Sequence, residues 1–281
     1  MKNDISNFHL TNRNFLKKTD HLGTSIKISS IVIAKNEEQN IARCIESQLK
    51  CADEIIVLVD NSSSDNTLEI VKSFRGVKYE SVEWMGYSKT KQYAVSLSSN
   101  DWIFWIDADE VITPKLCSEL NEFKTSSPLH ISYSVPRLAN FLGRWILHSG
   151  WYPGRVTRLF NKHRVFFNQK DVHEDLAAEG KNGELKNHLE HYTDPSIKHY
   201  FEKFNLYTSL AADELNKNGK SFHLSDIILR PAFIFIKMYI LKRGFLDGIQ
   251  GFILAVFSSS YVFTKYCKFW ELKNRTKKSN A

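Results

Sequence analysis

Apolar runs alternate with amphipathic segments through the first half of the chain. Runs rich in β-branched or aromatic side chains predict four strands, at residues 28–33, 54–59, 77–82 and 102–106. The intervening segments carry apolar side chains at helical spacing and predict three helices, with inward faces at residues 41–49, 68–74 and 89–97. Strands separated by single helices are typical of right-handed crossovers. This half therefore predicts an α/β fold with a mostly parallel sheet flanked by helices.

The pattern changes after Pro114, where the regular alternation ends. Residues 133–138 predict a strand, whereas residues 145–160 contain several turn-forming residues and predict mainly loop. A helix is predicted at residues 196–216, closed by an Asn-Gly pair.

Asn36, Asp60 and Asp107 each stand just after a predicted strand, and Asn36 is also placed to cap the first helix. Ligands of parallel α/β sheets bind outside the carboxyl ends of the strands, so these side chains are expected on one rim. Asp107 and Asp109 are separated by one residue, and two carboxylates so placed can converge on Mg²⁺ or Mn²⁺. A solvated acidic turn is the alternative when this short pattern is taken alone.

The composition is that of a globular protein, with 281 residues, 42% hydrophobic and 25% charged. A formal net charge of +7 suits a nucleic acid, an anionic membrane or a phosphorylated substrate. No RNA- or DNA-binding motif is present and the positive charge clusters beside the apolar tail, so no nucleic-acid partner is expected. The four cysteines form no CxxC pair, which predicts reduced thiols rather than zinc ligands or disulfides.

The tail is apolar and then basic. Residues 248–264 carry no charged side chain, and lysine and arginine residues follow from Lys265 to Lys278. A helix over the uncharged stretch would span roughly 25 Å, short of the roughly 30 Å core of a membrane. These features predict helices that lie in an anionic membrane surface. The alternatives are a helical pair packed on the rest of the chain, a homo-oligomer interface and a true span.

Four motifs stand at the strand ends of the first half: SIVIAKNE at 30–37, VDNSSSDNT at 59–67, DWI at 101–103 and DADE at 107–110. Their order and spacing resemble glycosyltransferase family 2, whose members have the GT-A fold. The second half contains FLGRW at 141–145, HSGWYP at 148–153, RLF at 158–160, VHE at 172–174 and GFLDG at 244–248. These motifs resemble the bacterial lipopolysaccharide inner-core β-1,4-glucosyltransferases, and the resemblance covers roughly residues 27–272.

The expected organisation has three parts. A polar arm at residues 1–26 precedes a GT-A catalytic domain at 27–220, and amphipathic membrane-associating helices with a basic tail follow at 221–281. The catalytic domain divides into a nucleotide-sugar half at 27–125 and an acceptor half at 126–220.

The resemblance implies a role for particular residues. The nucleotide-sugar pocket would be lined by Ala34, Asn36, Glu37, Asp60, Lys91, Asp107 and Ala108. Asp60 would bind the base and Asp107 the ribose or the metal, whereas Glu110 would be a carboxylate at a helix start. Asp109 would ligate the metal directly, with His191 completing the site. A solvated helix lysine is the alternative for Lys91.

The acceptor side is also implied by resemblance. Glu174, or the adjacent Asp175, would be the general base that activates the acceptor hydroxyl. The acceptor face would be formed by Trp151, Tyr152, Arg155, Arg158 and His173. Aromatic faces stack on sugars and arginines suit phosphate-bearing acceptors. A packed aromatic loop is the alternative.

The implied reaction is the inverting transfer of a hexose, glucose from UDP-glucose, onto a lipid-linked saccharide of the lipopolysaccharide inner core. The expected cofactors are Mg²⁺ or Mn²⁺ and a UDP-hexose donor, and the expected partners are the acceptor and an anionic membrane surface. Because residues 1–27 lack the apolar core of a secretory signal, the expected location is peripheral, on the cytoplasmic face of the bacterial inner membrane. A polyprenyl-phosphate sugar transferase and a non-catalytic membrane-associated scaffold are the alternatives.

Overall fold

The computed structural model of the protein describes residues 25–167, 176–178 and 182–279. The first half contains, in order, β1 (Ile28–Ala34), α1 (Ile41–Gln48), β2 (Glu54–Asp60), α2 (Thr67–Ser73), β3 (Lys78–Val82), α3 (Tyr87–Ser96), β4 (Trp102–Asp107), β5 (Glu110–Ile112) and α4 (Pro114–Lys124). The second half contains β6 (Ser132–Phe141), β7 (Arg144–Trp145), β8 (Gly154–Asn161), β9 (Val165–Phe167), β10 (Leu176–Ala178), β11 (Asn182–Glu184), β12 (Leu189–Asp194) and α5 (Ile197–Lys217). The tail contains α6 (Leu224–Phe235), a π-helix (Ile236–Leu241), a 3₁₀-helix (Gly244–Asp247) and α7 (Gly248–Ser279).

One sheet organises the molecule, with the strand order β3-β2-β1-β4-β8-β6-β12-β5. The first four of these strands are parallel, whereas β8 pairs antiparallel with β4 and β6. Helices cover both faces of the parallel part, so β1 and β2 are buried along most of their length. Ile45, Val57 and Leu116 belong to the core on one face, and Leu58 and Val95 to the core on the other. The expected α/β fold class is confirmed.

Asn36 does not cap the first helix, contrary to the sequence-based expectation. Its backbone has a φ of 54°, in the left-handed region, and α1 begins only at Ile41, after Asn40. The Asn36 Oδ1 atom accepts a hydrogen bond from Ser64 N at 2.8 Å. The side chain therefore joins the loop after β1 to the loop after β2, and it brings two polar strand ends together.

The prediction of loop at residues 145–160 is wrong for its second part, because Gly154–Asn161 forms a strand in the middle of the sheet. Arg158 interrupts the apolar pattern of this strand, yet the residue is only 1% exposed. Charged side chains are buried where they are paired and hydrogen-bonded. A paired, buried arginine cannot be told from an exposed one in the sequence alone.

The tail helices pack on the rest of the chain and also leave apolar side chains exposed. α7 continues beyond residue 264 to Ser279, and it contacts α5 and α6. Leu254 and Phe269 are buried, whereas Ile249 and Phe263 are exposed. By length and composition, the helical segment Gly244–Arg275 could cross a membrane, with a mean hydropathy of 1.3. The packed helical arrangement that was an alternative in the sequence is thus present, together with an exposed apolar surface.

Candidate active site

The carboxyl ends of β1, β2 and β4 lie at the same edge of the sheet. In the strand register, Ala34 lies beside Val59 and Ile33 lies beside Asp107. Asp60 directly follows Val59, so Asp60 and Asp107 flank the end of β1 on its two sides. This edge, with the loops that follow the three strands, is called the donor rim below.

Asp60 is held at the start of the loop after β2. Its Oδ1 atom accepts hydrogen bonds from Ser62 N at 2.8 Å and Ser62 Oγ at 2.7 Å, and its Oδ2 atom lies 3.0 Å from Lys35 Nζ. Burial by itself would raise the pKa of Asp60, but the Ser62 hydrogen bonds and Lys35 lower it below its usual range. The result is a fixed, ionised carboxylate that can accept hydrogen bonds from a ligand.

Asp107 ends β4 between two cations. Its Oδ2 atom lies 2.7 Å from Arg158 Nη2, and its Oδ1 atom lies 3.5 Å from Lys91 Nζ. Arg158 Cζ and Lys91 Nζ lie 3.5 Å and 3.7 Å from the centroid of the Trp105 ring. Burial would raise the pKa of Asp107, but the charges of Arg158 and then Lys91 lower it well below its ordinary value. Lys91 is 3% exposed, so it is not a solvated helix lysine.

Arg158 also binds Glu110, which is buried. Arg158 Nη2 lies 2.5 Å from Glu110 Oε1, and Glu110 Oε2 accepts a hydrogen bond from Asp107 N at 3.1 Å. Glu110 begins the strand β5, so it does not stand at the start of a helix. Although the resemblance implies an acceptor role for Arg158, the enclosed side chain lies against the acidic turn and not on an exposed face. The reason is that the buried Glu110 carboxylate, with Asp107 beside it, requires a cation.

Asp109 meets His191 at the acidic turn, where both side chains are partly buried. His191 Nε2 lies 3.2 Å from Asp109 Oδ2, and the antiparallel pairing of β12 with β5 places His191 opposite Glu110. Tyr192 N also donates a hydrogen bond to Asp109 O at 2.9 Å. Strand pairing therefore brings a histidine from the second half next to the carboxylate of the first half.

This pair fits a hard divalent cation that a substrate helps to hold. Within the described part of the chain, no group of three or more His, Cys, Asp or Glu side chains could hold a metal ion. Mg²⁺ usually binds through one or two carboxylates and keeps further positions for water and substrate phosphates. Asp109 and His191 thus offer the incomplete ligand set that such an ion uses.

Glu37 adds a carboxyl group of altered acidity to the donor rim. Its Oε2 atom accepts a hydrogen bond from Asn40 Nδ2 at 2.6 Å, and its backbone N donates to Thr67 Oγ1 at 2.7 Å. Burial raises the pKa of Glu37 from 4.5 to about 7, with a further increase from Asp109 and an opposing effect of the Asn40 hydrogen bond. The charge at this edge of the sheet therefore changes close to neutral pH.

Trp151, Tyr152 and Arg155 lie just before and within β8. The Trp151 ring packs edge-on against Phe141, with 6.0 Å between ring centroids, and Tyr152 is half-buried. Arg155 is exposed, and its Nη2 atom lies 3.3 Å from Glu184 Oε2. The three side chains contact the second half of the chain, and their acceptor role stays a prediction.

The remaining candidate residues divide into two groups. Ala34 and Ala108 are buried, 6% and 4% exposed, and both lie at the donor rim. His173, Glu174 and Asp175 lie outside the described residues. The general base thus stays a prediction from the sequence.

A second carboxylate network, not expected from the sequence, organises the loop before β8. Asp247 is 2% exposed and accepts hydrogen bonds from Leu147 N at 3.2 Å, His148 N at 3.0 Å and Ser149 Oγ at 3.2 Å. The His148 Nδ1 atom also lies 3.0 Å from Asp247 Oδ1. The HSGWYP and GFLDG motifs therefore meet. Both were visible in the sequence, but nothing there indicated that they touch.

The chain is similar to known proteins over most of its length. A model described as "Glycosyl transferase family 2" matches residues 29–178. An uncharacterized glycosyltransferase of Rickettsia typhi is 31% identical over 262 residues, covering 89% of each chain. The lipopolysaccharide core biosynthesis glycosyltransferase LpsC of Rhizobium meliloti is 30% identical over 253 residues, covering 88% of this chain and 93% of LpsC. Among solved structures, residues 1–349 of S. aureus TarS in complex with UDP are 16% identical, cover 89% of this chain and 92% of that chain, and have a TM-score of 0.45.

Proposed function

Because the chain belongs to glycosyltransferase family 2, we propose that it transfers glucose from UDP-glucose to a lipid-linked saccharide of the lipopolysaccharide inner core. The observation that carries the proposal is the contact between Asp109 and His191 beside the strand ends of the donor rim. The name of the relative LpsC supports a core saccharide as the acceptor. In this reaction the bond from the anomeric carbon to the diphosphate breaks, and a bond to the acceptor oxygen forms with inversion.

The donor would lie across the donor rim. Asp60 is ionised and fixed, so it would accept hydrogen bonds from the base. Asp107 is kept ionised by Arg158 and Lys91, so it would accept hydrogen bonds from the ribose or contribute to the metal site. Asn36, Glu37, Ala34 and Ala108 would complete the pocket.

Asp109 and His191 would hold Mg²⁺ or Mn²⁺. When bound, such an ion supplies a Lewis acid that stabilises the negative charge of the leaving nucleoside diphosphate. The protein would hold these two ligands in place. The hydrogen bond from Tyr192 N to Asp109 O fixes the backbone of Asp109. The acceptor hydroxyl would lose its proton to Glu174, with Asp175 as the alternative base.

The tail would bring the enzyme to the membrane that carries the acceptor. Exposed apolar side chains recur every three to five residues along α6, the π-helix, the 3₁₀-helix and the start of α7: Leu229, Phe233, Ile236, Ile240, Phe245, Ile249 and Phe252. We call this stripe the apolar tail face. Lys237, Lys242 and Arg243 accompany it. An apolar stripe with basic neighbours suits helices in the surface of an anionic bilayer, on the cytoplasmic face of the inner membrane.

The test is sugar transfer by the purified full-length chain. With UDP-glucose, Mn²⁺ or Mg²⁺ and truncated lipopolysaccharide as the acceptor, we expect a glucosylated product, and we expect EDTA to abolish its formation. Asp109→Asn should lower kcat/KM by about a hundredfold or more, because its carboxylate is a proposed ligand of the charge-stabilising cation. Asp101→Asn is the matched control, since this aspartate is exposed at the opposite end of β4.

Three results would count against the proposal. If no UDP-sugar binds in the presence of either cation, the proposed nucleotide-sugar site is refuted. Full activity of Asp109→Asn, or in EDTA, would remove the metal role. Transfer to polyprenyl phosphate but not to the lipopolysaccharide core would replace the proposed acceptor.

A further inference from the structure

A cavity of about 450 Å³ lies between α5, α6 with the π-helix, and α7. We call it the tail cavity. Its volume is within the roughly 300–1,000 Å³ of ligand pockets. Most of its wall is aromatic or aliphatic, and it includes Trp151, Tyr200, Phe204, Ile234, Met238 and Tyr261. The described residues thus enclose a largely apolar space on the side of the tail helices.

Lys203 gives the tail cavity a cation. It lines the wall together with Asp194 and Thr193, and its Nζ atom donates a hydrogen bond to Thr193 O at 3.3 Å. Asp194 is engaged by His199, whose Nδ1 atom lies 3.2 Å from Asp194 Oδ1. Lys203 forms no ion pair with any carboxylate in the described part of the chain. The cation is therefore available to an anionic ligand.

The tail cavity lies near the donor rim. Thr193 and Asp194, which line the cavity, lie on β12 two and three residues after His191, the proposed metal ligand. Trp151, which the resemblance places on the acceptor side, also lines the cavity. A ligand in the cavity would therefore have its charged end close to the site of transfer.

The helices that wall the tail cavity also carry the apolar tail face. Ile234 and Met238 line the cavity, whereas Phe233, Ile236 and Ile240 on the same continuous segment are exposed. A chain leaving a bilayer at this face would meet an apolar cavity directly behind it. A saccharide is a poorer occupant, since sugar hydroxyls need several convergent polar groups and this wall is mostly apolar.

We infer that the tail cavity binds the hydrocarbon chain of the lipid-linked acceptor, with Lys203 near an anionic group at the head of that chain. This inference rests on the proposed function, because it names the part of the acceptor that the tail recognises. It assigns Lys203 and the cavity wall to binding, and no covalent step takes place there.

The first test measures chain binding without sugar transfer. Dansyl-undecanoic acid should bind the full-length protein saturably, whereas dansyl-glycine, which lacks the chain, should not. Ser258→Phe on α7 and Ile234→Trp on α6 each add bulk to the cavity wall, and each should weaken binding by about tenfold or more. Ser260→Phe is the matched control on α7, because Ser260 does not line the cavity. Thermal melts report whether each variant folds.

The second test uses the unmodified protein, so it does not depend on a variant that folds. A fatty acid with a diazirine at its methyl end should label residues of α5 and α7 that face the cavity. Labelling confined to other parts of the chain, or binding of dansyl-undecanoic acid that Ser258→Phe leaves unchanged, would overturn the inference.

The third test separates this inference from the proposed function. Ser258→Phe should reduce transfer to a lipid-bearing acceptor at least about tenfold more than transfer to the same saccharide after removal of its lipid. Equal reduction of transfer to both acceptors would refute lipid binding in the tail cavity but would leave the proposed transferase function intact. If the protein binds the hydrocarbon chain but transfers no sugar, the proposed function is refuted and lipid binding in the tail cavity stands.

Discussion

Arg158 lies at the centre of a charged contact that includes two carboxylates of the acidic turn. It is enclosed between Asp107 and Glu110, with Trp105 against its guanidinium. The Glu110 carboxylate and the Arg158 guanidinium are 0% and 1% exposed, so water cannot screen either charge. Arg158 therefore maintains the shape of the turn that presents Asp109, although it does not itself face the donor.

Replacing Arg158 should be costly for that reason. Arg158→Met removes the nearest counter-charge of the buried Glu110 carboxylate and leaves it only Arg137 Nη1 at 3.7 Å. We expect a loss of up to about 3–5 kcal/mol in the free energy of unfolding, measured with urea. Arg275→Met is the control, because Arg275 pairs with Glu271 at an exposed position of α7, and exposed ion pairs contribute roughly 0–1 kcal/mol. Arg158→Met combined with Glu110→Gln should recover part of the loss. Equal stabilities of the two single variants would refute this account.

Glu37 predicts a dependence of stability on pH. Its pKa is 4.5 in the unfolded chain and about 7 in the fold. Below about pH 4.5 the Glu37 carboxyl group is protonated in both the folded and the unfolded state. Between about pH 4.5 and about pH 7 it is protonated only in the folded state, so the free energy of unfolding falls as the pH rises. Above about pH 7 the full cost of the buried charge is present.

We therefore expect Glu37→Gln to match the wild-type stability at about pH 4 and to exceed it at about pH 8. Urea unfolding at the two pH values measures this difference, and Glu46→Gln, at an exposed position on α1, supplies the baseline. A variant that is less stable than the wild type at the higher pH would show that the Glu37 charge is favourable in the fold.

At this scale the sequence indicated the carboxylates better than their partners. Asp60 and Asp107 follow apolar runs, and that pattern alone predicts their place at one edge of a sheet. Arg158 lies 51 residues from Asp107 along the chain, and a single arginine in an apolar strand carries no sign of the carboxylates it will meet. The Asp109–His191 contact likewise depends on a strand pairing that no local pattern encodes.

At the level of secondary structure, local patterns predicted the first half because each βαβ unit is nearly self-contained. The β-branched runs and the helical spacing of apolar residues lie within each element. β8 was missed because its paired arginine and the preceding turn residues are typical of a loop. Asn36 was assigned to a helix cap because its side chain suits that role, whereas the structure uses it to join two loops.

The Asp247 network should order the loop that precedes β8. Asp247→Asn removes a buried negative charge that accepts hydrogen bonds from Leu147 N, His148 N and Ser149 Oγ. Hydrogen bonds to a charged group contribute about 1.5–3 kcal/mol each, so we expect faster exchange at the amides of Leu147 and His148 and a higher KM for the acceptor. Asp213→Asn, at an exposed position on α5, is the control. Unchanged exchange at these amides would show that the loop is ordered without Asp247.

At the scale of the whole molecule, the apolar tail face should decide where the protein resides. We expect the full-length chain to bind anionic vesicles, less strongly at high salt. Ile240→Ser with Ile249→Ser should lower vesicle binding by about tenfold, since complete burial of such a side chain contributes about 1.5–3 kcal/mol. Leu129→Ser is the control, because Leu129 is 90% exposed and lies far along the chain from the tail. If the double variant alters oligomeric state and not vesicle binding, the face is an interface between copies.

The sequence predicted an apolar, basic tail but not its placement. Periodicity describes one helix at a time, so it cannot distinguish a helix on a membrane from one packed on a neighbour. In the structure α7 buries Leu254 and Phe269 against the rest of the chain and leaves Ile249 exposed. The tail cavity, formed by side chains from several helices, could not be inferred from any one of them.

The carboxylate of Asp247 belongs to the tail, yet the groups it orders belong to the loop before β8. Shortening the gene before α6 would therefore yield a protein whose loop before β8 has lost the carboxylate that orders it, and not a shorter version of an intact enzyme. For production in water, the better route keeps every helix and exchanges only the outward-facing apolar side chains for polar ones. Evolution would meet the same constraint, since a lineage that discarded the tail would have to rebuild the loop by other means.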